Sequence, residues 1–380
     1  MWLAIYIVFW ALNILFVFNN RSNRFISAVS YLLMAMMFVL NDGTSGDAFI
    51  YKNDFANNGL NTNWSEPGYG LFKTIIIYFG INTYNGLLLA IFIFTSIFII
   101  IGLKYFDCSY NPILAITMPF IFPTCAVAIR LFMAIGIIIF SLRFLVEKKP
   151  FFYIIGIIIA SMFHRTALIY LILLVCIWDG VNSRGFIKKN VSKLVLIISV
   201  ITIVLTYISG RLPFIDILIK IVSAVYKEID AKINAYTGTL THYGACIFFA
   251  IYFMGLIFSI CIKRQIQEEK ISSNDDMINI NSFADINYRV HLLLSVSLPF
   301  IVTSLIYYRI LMIGFITNAI LYGMYMKRTS ITKGIMCLKI NKSSLMFFCS
   351  CIVWFLPEVV RIHDISISGL MKVSVETFFK

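Results

Sequence analysis

The stretch Asn41–Gly70, NDGTSGDAFIYKNDFANNGLNTNWSEPGYG, is a 30-residue polar segment between apolar runs. It contains one cation, Lys52, against four acidic residues: Asp42, Asp47, Asp54 and Glu66. Lipid cannot satisfy the backbone polar groups of such a segment, so it must face water or line a cavity. We therefore interpret 41–70 as an acidic loop on one face of a membrane domain.

The chain on both sides of this loop has the composition of a membrane protein. Hydrophobic residues make up 60% of its 380 residues and charged residues only 13%. Soluble domains have about half and about a quarter, respectively. Apolar stretches of spanning length recur throughout, which predicts an all-α polytopic integral membrane protein with about twelve transmembrane helices. We expect residues 1–380 to form a single transmembrane domain.

Lysine and arginine set the expected orientation of these helices. With the N-terminus outside, 19 of the 31 lysines and arginines fall in inner loops, as the positive-inside rule requires. The net charge of +13 is thus explained by topology and contact with membrane lipids, and predicts no binding to nucleic acid. The same orientation puts 41–70 outside and makes 263–288 a flexible cytoplasmic loop.

Residues 210–240 are predicted to form a further outer loop. Asp216, Lys220, Ser223 and Lys227 recur there at steps of four, three and four, which places them on one face of a helix. This pattern predicts an amphipathic helix that lies flat on the outer interface.

Some of the predicted spans are kinked or short. The span at about 112–128 contains Pro112, Pro119 and Pro123, and proline removes a backbone donor and bends a helix. The spans at about 150–163 and 166–178 are both short, with His164-Arg165 at the tip between them. Short spans predict that this tip lies below the outer surface.

Ionisable residues from five separate places in the sequence reach the outer face in this arrangement. They are Asp47, Glu66, Arg130, His164, Arg165, Arg211 and Arg309. Ionisable groups at membrane depth cost roughly 2.5–3.5 kcal/mol each, so they tend to be paired or functional. Arginine offers a fork of donors for phosphate, histidine exchanges a proton near neutral pH, and carboxylates bind or activate sugar hydroxyls. The set fits a substrate with both a diphosphate and sugars.

Each of these residues also has a plainer interpretation. The Arg130 side chain can extend to the outer membrane interface, and His164 can cap a helix or pack against its neighbours. Arg309 can anchor the chain at the interface together with the tyrosines that precede it. We expect Asp42 and Asp54 to be solvated loop residues or helix caps, and the other histidines, including His291, to be structural. The sequence contains no nucleotide-binding loop and no metal-ligand spacing, so we expect neither metal nor cofactor.

The order of the motifs resembles the EpsG family of exopolysaccharide polymerases, which is close to the Wzy polymerases of O-antigen and capsule synthesis. The matching segments lie within about 45–175 and are GDAFIYKNDF, SEPGYGLF, AIRLFMAIGI and ASMFHRTALIYL. In the second half only hydropathy and Tyr308-Arg309 match. Two features depart from the family pattern: Leu131 follows Arg130 where glutamine is frequent, and the chain ends ETFFK without a proline-tyrosine pair.

The resemblance implies a polymerase of undecaprenyl-diphosphate-linked oligosaccharide repeat units. This lipid-diphosphate-dependent glycosyltransferase would act at the outer, periplasmic face of the bacterial cytoplasmic (inner) membrane, beside a flippase and a chain-length regulator. The expected catalytic residues are His164, Arg130, Asp47 and Glu66, and the base is left open among the histidine and the two carboxylates. The expected substrate-binding residues are Arg165, Arg309, Tyr51, Tyr69 and Arg211.

Three other functions remain possible on the sequence alone. A ligase of the O-antigen type has similar needs for arginine and histidine. A flippase of lipid-linked oligosaccharides would need a charged cavity open to both faces and usually internal symmetry. A membrane acyltransferase would need a site that faces inward, whereas His164 is predicted to face outward.

Overall fold

The fold is a bundle of helices, seen in a computed structural model. It describes residues 2–41, 43, 46–56, 66–178, 186–209, 242–269, 280–303, 305–332, 345–347 and 349. These residues contain helices and turns but no strand, which confirms the all-α prediction for this part of the chain.

The first half of the chain alternates long and short helices. In order they are α1 (Trp2–Phe18), α2 (Arg24–Val39), α3 (Gly46–Ala56), α4 (Pro67–Tyr78), α5 (Tyr84–Phe106), α6 (Asn111–Ile116), a π-helical turn (Thr117–Ile121), α7 (Phe122–Val127), α8 (Ile129–Val146), α9 (Pro150–Phe163), a 3₁₀ helix (Arg165–Leu174) and α10 (Val175–Trp178). Helix α8 is the centre of this half, because it packs against both α5 and α9 and most of its side chains are buried.

The second half follows with α11 (Phe186–Ser209), α12 (His242–Glu268), α13 (Ile280–Leu294), a short 3₁₀ turn (Ser295–Ser297), α14 (Leu298–Thr303), a second 3₁₀ helix (Leu305–Leu311) and α15 (Met312–Thr332). Helix α15 is the buried axis of this half and packs against α12, α13 and α6. The predicted amphipathic helix within 210–240 lies outside the described residues.

Five helical stretches in the described part of the chain are long and apolar enough to cross a membrane: Tyr84–Phe106, Ile129–Val146, Asn190–Ile208, Ala245–Glu268 and Tyr307–Thr329. Four apolar helices of 10–17 residues accompany them: Ala4–Phe18, Arg24–Val39, Pro150–Phe163 and Arg165–Ile177. The composition and these helices make the chain a membrane protein, whereas the count of about twelve spans stays a prediction.

The proline-rich span is broken, as its sequence predicts. Pro119 lies in the π-helical turn between α6 and α7, where the chain re-forms its backbone hydrogen bonds with a wider register. A second break follows at Ala128, whose φ of −99° and ψ of 68° separate α7 from α8. This break allows α8 to begin in a new direction with Arg130 in its first turn.

The two short spans differ in their helix type. Helix α9 has 14 residues, which extend only roughly 21 Å at the α-helical rise. The ten residues after His164 form a 3₁₀ helix, whose larger rise extends them by roughly 20 Å. The chain thus crosses much of the bundle with few residues, and this tight winding was not predicted from the sequence.

Two segments that we predicted to be loops are partly helical. Segment 41–70 includes α3 and the first turn of α4, with Pro67 in the first turn of that helix, where proline is favoured. The predicted loop 263–288 is helical up to Glu268 and again from Ile280. An ion pair of 2.6 Å between Lys263 and Asp285 joins the two helices there, which explains why both extend beyond their apolar parts.

The two ends of the bundle carry different polar groups. At the end that we call the Glu66 end, the last residues of α2, α7 and α9 meet the first residues of α8, as the hydrogen bond of Asn41 to the Ala126 carbonyl illustrates. At the opposite end, the Asn111 end, Asn111 accepts a hydrogen bond from the Asn23 backbone and donates one to Asn13. The candidate site lies at the Glu66 end.

Candidate active site

Helices α4 and α9 pack closely enough to bring two distant motifs together. A Cβ atom added to Gly68 would lie 2.9 Å from the Met162 Cβ and 3.0 Å from its backbone carbonyl, so only glycine fits this contact. Glu66 caps the start of α4, and His164 follows the last residue of α9. The glycine contact therefore sets the distance between Glu66 and His164.

Glu66 is the centre of the site. Its side chain is buried, and its two carboxylate oxygens have different partners. Oε1 lies 3.3 Å from Nδ1 of His164 and accepts a second hydrogen bond of 3.3 Å from the backbone N–H of Arg165. Oε2 forms an ion pair with Nη1 of Arg130. One carboxylate thus joins the motifs at 66, 130 and 164–165.

Arg130 is held by aromatic residues as well as by Glu66. Its Nε donates a hydrogen bond of 2.9 Å to the hydroxyl of Tyr51. Its guanidinium carbon lies 4.8 Å from the centre of the Tyr51 ring and 5.9 Å from that of Tyr69. The side chain nevertheless remains 29% exposed, so the guanidinium is oriented without being enclosed. Such an oriented cation is suited to an anionic ligand.

Tyr69 contributes a buried hydroxyl. The rings of Tyr51 and Tyr69 lie 5.9 Å apart, and Tyr69 is only 5% exposed. Among the described residues its hydroxyl has no hydrogen-bond partner. A buried polar atom without a partner is costly, and a ligand that accepts or donates a hydrogen bond there would remove that cost.

The electrostatics of the site favour an ionised Glu66. Burial alone would raise the pKa of the Glu66 carboxyl, but the hydrogen bond from His164 and the charge of Arg130 outweigh it and lower this pKa. At Tyr51 the effect of burial is larger than that of the nearby Arg130, so the pKa of this phenol is raised. At neutral pH the site therefore contains a carboxylate, a guanidinium and neutral phenols.

The remaining predicted residues lie at different distances from this centre. Asp47 begins α3, one turn before Tyr51, and its charge acts on that phenol. Arg309 lies near α7, where its charge acts on Cys125. Its Nε is buried without a hydrogen-bond partner in the part of the chain that the structure describes. Arg211 lies outside the described residues, as does Asp42.

Two features of this region were missed or misjudged from the sequence. Lys73 on α4 is buried, and its Nζ forms an ion pair of 2.7 Å with Asp54. Asp54, which we expected to be a solvated or capping residue, is 35% exposed and supplies the counter-charge that the buried ammonium requires. Tyr308, which the sequence offered only beside Arg309, stacks on Phe248 at 4.7 Å and shares a 3.0 Å hydrogen bond with Thr124 of α7. Nothing in the sequence pairs 54 with 73 or 124 with 308.

The site contains no obvious position for a metal ion. Across the described ranges, no group of three or more histidine, cysteine, aspartate or glutamate side chains is arranged to bind one. The single carboxylate at the centre already has three donors around it.

Comparison with known protein families gives a clear result. The profile of the EpsG family matches residues 24–366, which is most of the chain. The chain belongs to the EpsG family. The resemblance noted from its motifs is thereby confirmed, and it extends well beyond 45–175 into the second half. Comparison with curated proteins and with solved structures gave no match.

Membership in the EpsG family indicates a glycosyltransferase-like polymerase of polysaccharide biosynthesis that acts in a membrane on a lipid-linked oligosaccharide. In this EpsG-family chain the four motifs that carry the resemblance supply Tyr51, Glu66, Arg130 and His164. All four side chains belong to the same contact network.

Proposed function

We propose that this protein polymerises oligosaccharide repeat units linked to undecaprenyl diphosphate, with its active site at the Glu66 end of the bundle. The observation that carries the proposal is the position of Glu66, which holds Arg130 and His164 side by side. Polymerisation needs a group that binds the leaving diphosphate and a group that accepts a proton from the attacking hydroxyl. These two side chains have the required chemistry.

His164 is proposed as the general base. If the Nδ1 proton points to the Glu66 carboxylate, Nε2 carries the lone pair, and among the described residues it has no hydrogen-bond partner. A carboxylate that orients an imidazole in this way is familiar from hydrolase triads. Glu66 is then a positioning residue, because its lowered pKa makes it a weak base and both of its oxygens are already engaged. This choice narrows the three candidates from the sequence to one.

Arg130 is proposed to bind the leaving diphosphate. Its Nε and Nη1 are already engaged by Tyr51 and Glu66, which fixes the plane of the guanidinium and leaves its outer edge for phosphate oxygens. Arg165 and Arg309 are proposed to add positive charge from the 3₁₀ segments on either side. Arg211 is proposed to contribute from the adjacent outer loop.

The reaction that follows from these roles is a glycosyl transfer. The oxygen of an acceptor sugar hydroxyl attacks the anomeric carbon of the donor chain, and its proton passes to His164 Nε2. The bond between that carbon and the phosphate oxygen breaks, and its electron pair leaves with the lipid diphosphate. The imidazolium then releases its proton to solvent, so the enzyme returns to its starting state.

The sugars are proposed to lie over Tyr51 and Tyr69. Aromatic faces pack against sugar rings, and the unpartnered Tyr69 hydroxyl is available to a sugar hydroxyl. Asp47 is proposed to bind a second hydroxyl from the first turn of α3. The proposed location is the bacterial inner membrane with this end facing outside, and a flippase and a chain-length regulator are the proposed protein partners.

A deletion strain and a reconstituted reaction together test this function. Deletion of the gene in its source bacterium should abolish long polymer and leave single lipid-linked repeats on the outer leaflet. Purified protein in liposomes with those repeats should form polymer and release undecaprenyl diphosphate. Complete polymer that remains on its lipid carrier in the deletion strain would indicate a ligase instead, and repeats confined to the inner leaflet would indicate a flippase.

A further inference from the structure

An apolar groove of about 350 Å³ runs between α2, α5, α8 and the broken span α6–α7. Its volume lies in the range of ligand-binding cavities in proteins. Aliphatic and aromatic side chains form nearly all of its wall, and Arg24 is the single charged residue that contributes to it. The groove is separate from the candidate active site, and none of the residues around Glu66 lines it.

The mouth of the groove lies near the Asn111 end. Arg24 and Ala28 on α2 are exposed, and so are Ile100 on α5, at 51%, and Tyr110 before α6. At the other end of the groove, Phe122 and its neighbours are buried. A ligand can therefore enter from the side of the bundle beside Arg24, where membrane lipid would lie.

Two of the polar groups in the wall are already engaged within the protein. The Tyr31 hydroxyl bonds to Ser96 Oγ at 2.5 Å, and Ser27 Oγ donates to the Asn23 carbonyl at 3.0 Å. The interior of the groove thus offers hydrocarbon contacts and few hydrogen bonds, which suits an alkyl chain and not a sugar.

Aromatic side chains close the inner end of the groove below the active site. Phe38 packs against Phe92, Phe122 and Phe132, with ring centres 5.7, 6.3 and 5.0 Å apart. Phe38 itself is fully buried. Phe92, Phe122 and Phe132 of this cluster line the groove, whereas none of the residues around Glu66 does.

We infer that the groove binds one acyl chain of an anionic phospholipid whose head group pairs with Arg24. Charge complementarity supports this choice, because the one charged wall residue is an exposed arginine at the mouth. Its charge also acts on the hydroxyl of Tyr110. Further cations lie at the same end of the bundle, including Lys104 and Lys327. This lipid site does not depend on the proposed function.

Native mass spectrometry of the full-length protein with added lipids tests the head group. Phosphatidylglycerol should bind more tightly than phosphatidylcholine with the same chains. Arg24→Gln should weaken phosphatidylglycerol binding about fivefold, the effect of one arginine at a membrane surface. Arg21→Gln, which removes a charge three residues away and outside the groove wall, should have little effect. Equal binding of both lipids, or equal losses in the two variants, would overturn the site.

Filling the groove tests where the chain lies. Ala28→Phe should reduce binding of phosphatidylglycerol, whereas Ala11→Phe, at an exposed alanine on α1 outside the groove, should not. Ile100→Trp at the rim provides a second filling variant if the first lowers the unfolding temperature. Unchanged binding in both filled variants would refute a chain in the groove. Displacement of phosphatidylglycerol by undecaprenyl phosphate at equal concentration would show that the groove prefers a polyprenyl chain, and would also refute the inference.

Discussion

Two histidines lie in polar clusters of opposite character. His164 is at the Glu66 end, 18% exposed, with a carboxylate at Nδ1 and a guanidinium on the other oxygen of that carboxylate. His291 is in the interior of the second half and only 2% exposed. It contacts the Asn287 carbonyl through Nδ1 and the Asn318 amide through Nε2, each at 3.0 Å.

The partners of His291 define its protonation state. A backbone carbonyl only accepts, so Nδ1 carries the proton, and the Asn318 amide donates to Nε2. The same Asn318 also donates to the Gly255 carbonyl, and Asn287 donates to both Asn318 and Ser259. This network joins α12, α13 and α15 with neutral groups that use both ring nitrogens. Both ring nitrogens of His291 are engaged, while the side-chain oxygen of Asn287 has no hydrogen-bond partner among the described residues.

The difference teaches how a functional polar cluster is distinguished from a structural one in this membrane protein. Around His291 the hydrogen bonds of the ring are complete and no charge is present, so the network specifies packing. Around His164 the charges are compensated, but Nε2 of the histidine and the hydroxyl of Tyr69 still lack described partners. The following experiments test that distinction, from the largest expected effect to the smallest.

Replacement of His164 should have the largest effect on activity. His164→Gln keeps a polar side chain but removes the proton acceptor, so polymer formation should fall by about 10²–10⁴-fold. The thermal unfolding temperature of the purified variant should change little, because the side chain is partly exposed. Activity is measured as released lipid diphosphate per folded protein. Activity within about threefold of wild type would eliminate His164 as the base.

Arg130→Lys should reduce activity by about 10²-fold, because lysine keeps the charge but loses the planar fork and the hydrogen bond to Tyr51. The matched control is Arg143→Lys on the same helix, where the arginine lies over the rings of Phe140 and Phe144 at the far end. We expect the control to retain activity in the same assay. An equal loss of activity in the two variants would show that Arg130 acts through the folding of α8 and not through binding of the diphosphate.

His291→Leu should change stability and leave catalysis intact. The variant leaves one Asn318 N–H without its partner in the interior, which costs about 1–3 kcal/mol. Chemical unfolding in detergent micelles measures this loss, and the activity per folded molecule should remain near wild type. A variant that is stable but inactive would assign His291 a catalytic role and remove the distinction between the two clusters.

Tyr69→Phe tests the unpartnered hydroxyl. Since that buried atom has no described partner, its removal should maintain or raise stability, whereas loss of one sugar contact should reduce activity up to about tenfold. Tyr78→Phe on the same helix, at an 87% exposed position, is the control. A loss of stability in Tyr69→Phe would show that the hydroxyl has a structural partner instead.

The pH dependence of stability should report Glu66. Its pKa is lowered in the folded protein, so the carboxylate stabilises the fold at pH values above its ordinary pKa of 4.5. This contribution is lost as the pH falls through the lowered value. The difference in unfolding temperature between wild type and Glu66→Gln should therefore shrink between about pH 5 and pH 3. Glu147→Gln, which breaks the more exposed pair with Lys149, should show a smaller change. A constant difference would mean that folding does not shift the pKa of Glu66.

Much of the fold follows from the sequence because lipid imposes simple rules. Apolar runs of spanning length predicted the positions of α5 and α8. Pro119 predicted the break in the span that lies between these two helices. Both ends of the predicted loop 263–288 are helical, because polar residues such as Lys263 also form good helices and Asp285 of the second helix supplies a counter-charge. No feature of the sequence predicts the 3₁₀ helix after His164, since its formation depends on how the surrounding helices pack against it.

The sequence allowed us to predict which residue types form the candidate site, but not the role of each residue. Arginine, histidine and acidic residues at one end of a membrane bundle suggest binding of a diphosphate and sugars. The sequence left the base open among His164, Asp47 and Glu66, because chemistry alone does not distinguish a carboxylate that holds a histidine from one that takes a proton. The ion pair of Asp54 with Lys73 was also not predicted, because the buried position of Lys73 cannot be recognised from a single helix of mixed polar and apolar residues.

The sequence by itself determined that this is a membrane protein, and it predicted that segment 41–70 leaves the lipid and that Glu66, Arg130 and His164 lie near one end. These properties depend on local hydropathy and charge. Only the tertiary structure decided that Glu66 joins the other two, across a separation of 98 residues from His164. The physical reason is the close contact of α4 with α9 at Gly68, which depends on the shapes of both helices and cannot be deduced from either segment alone.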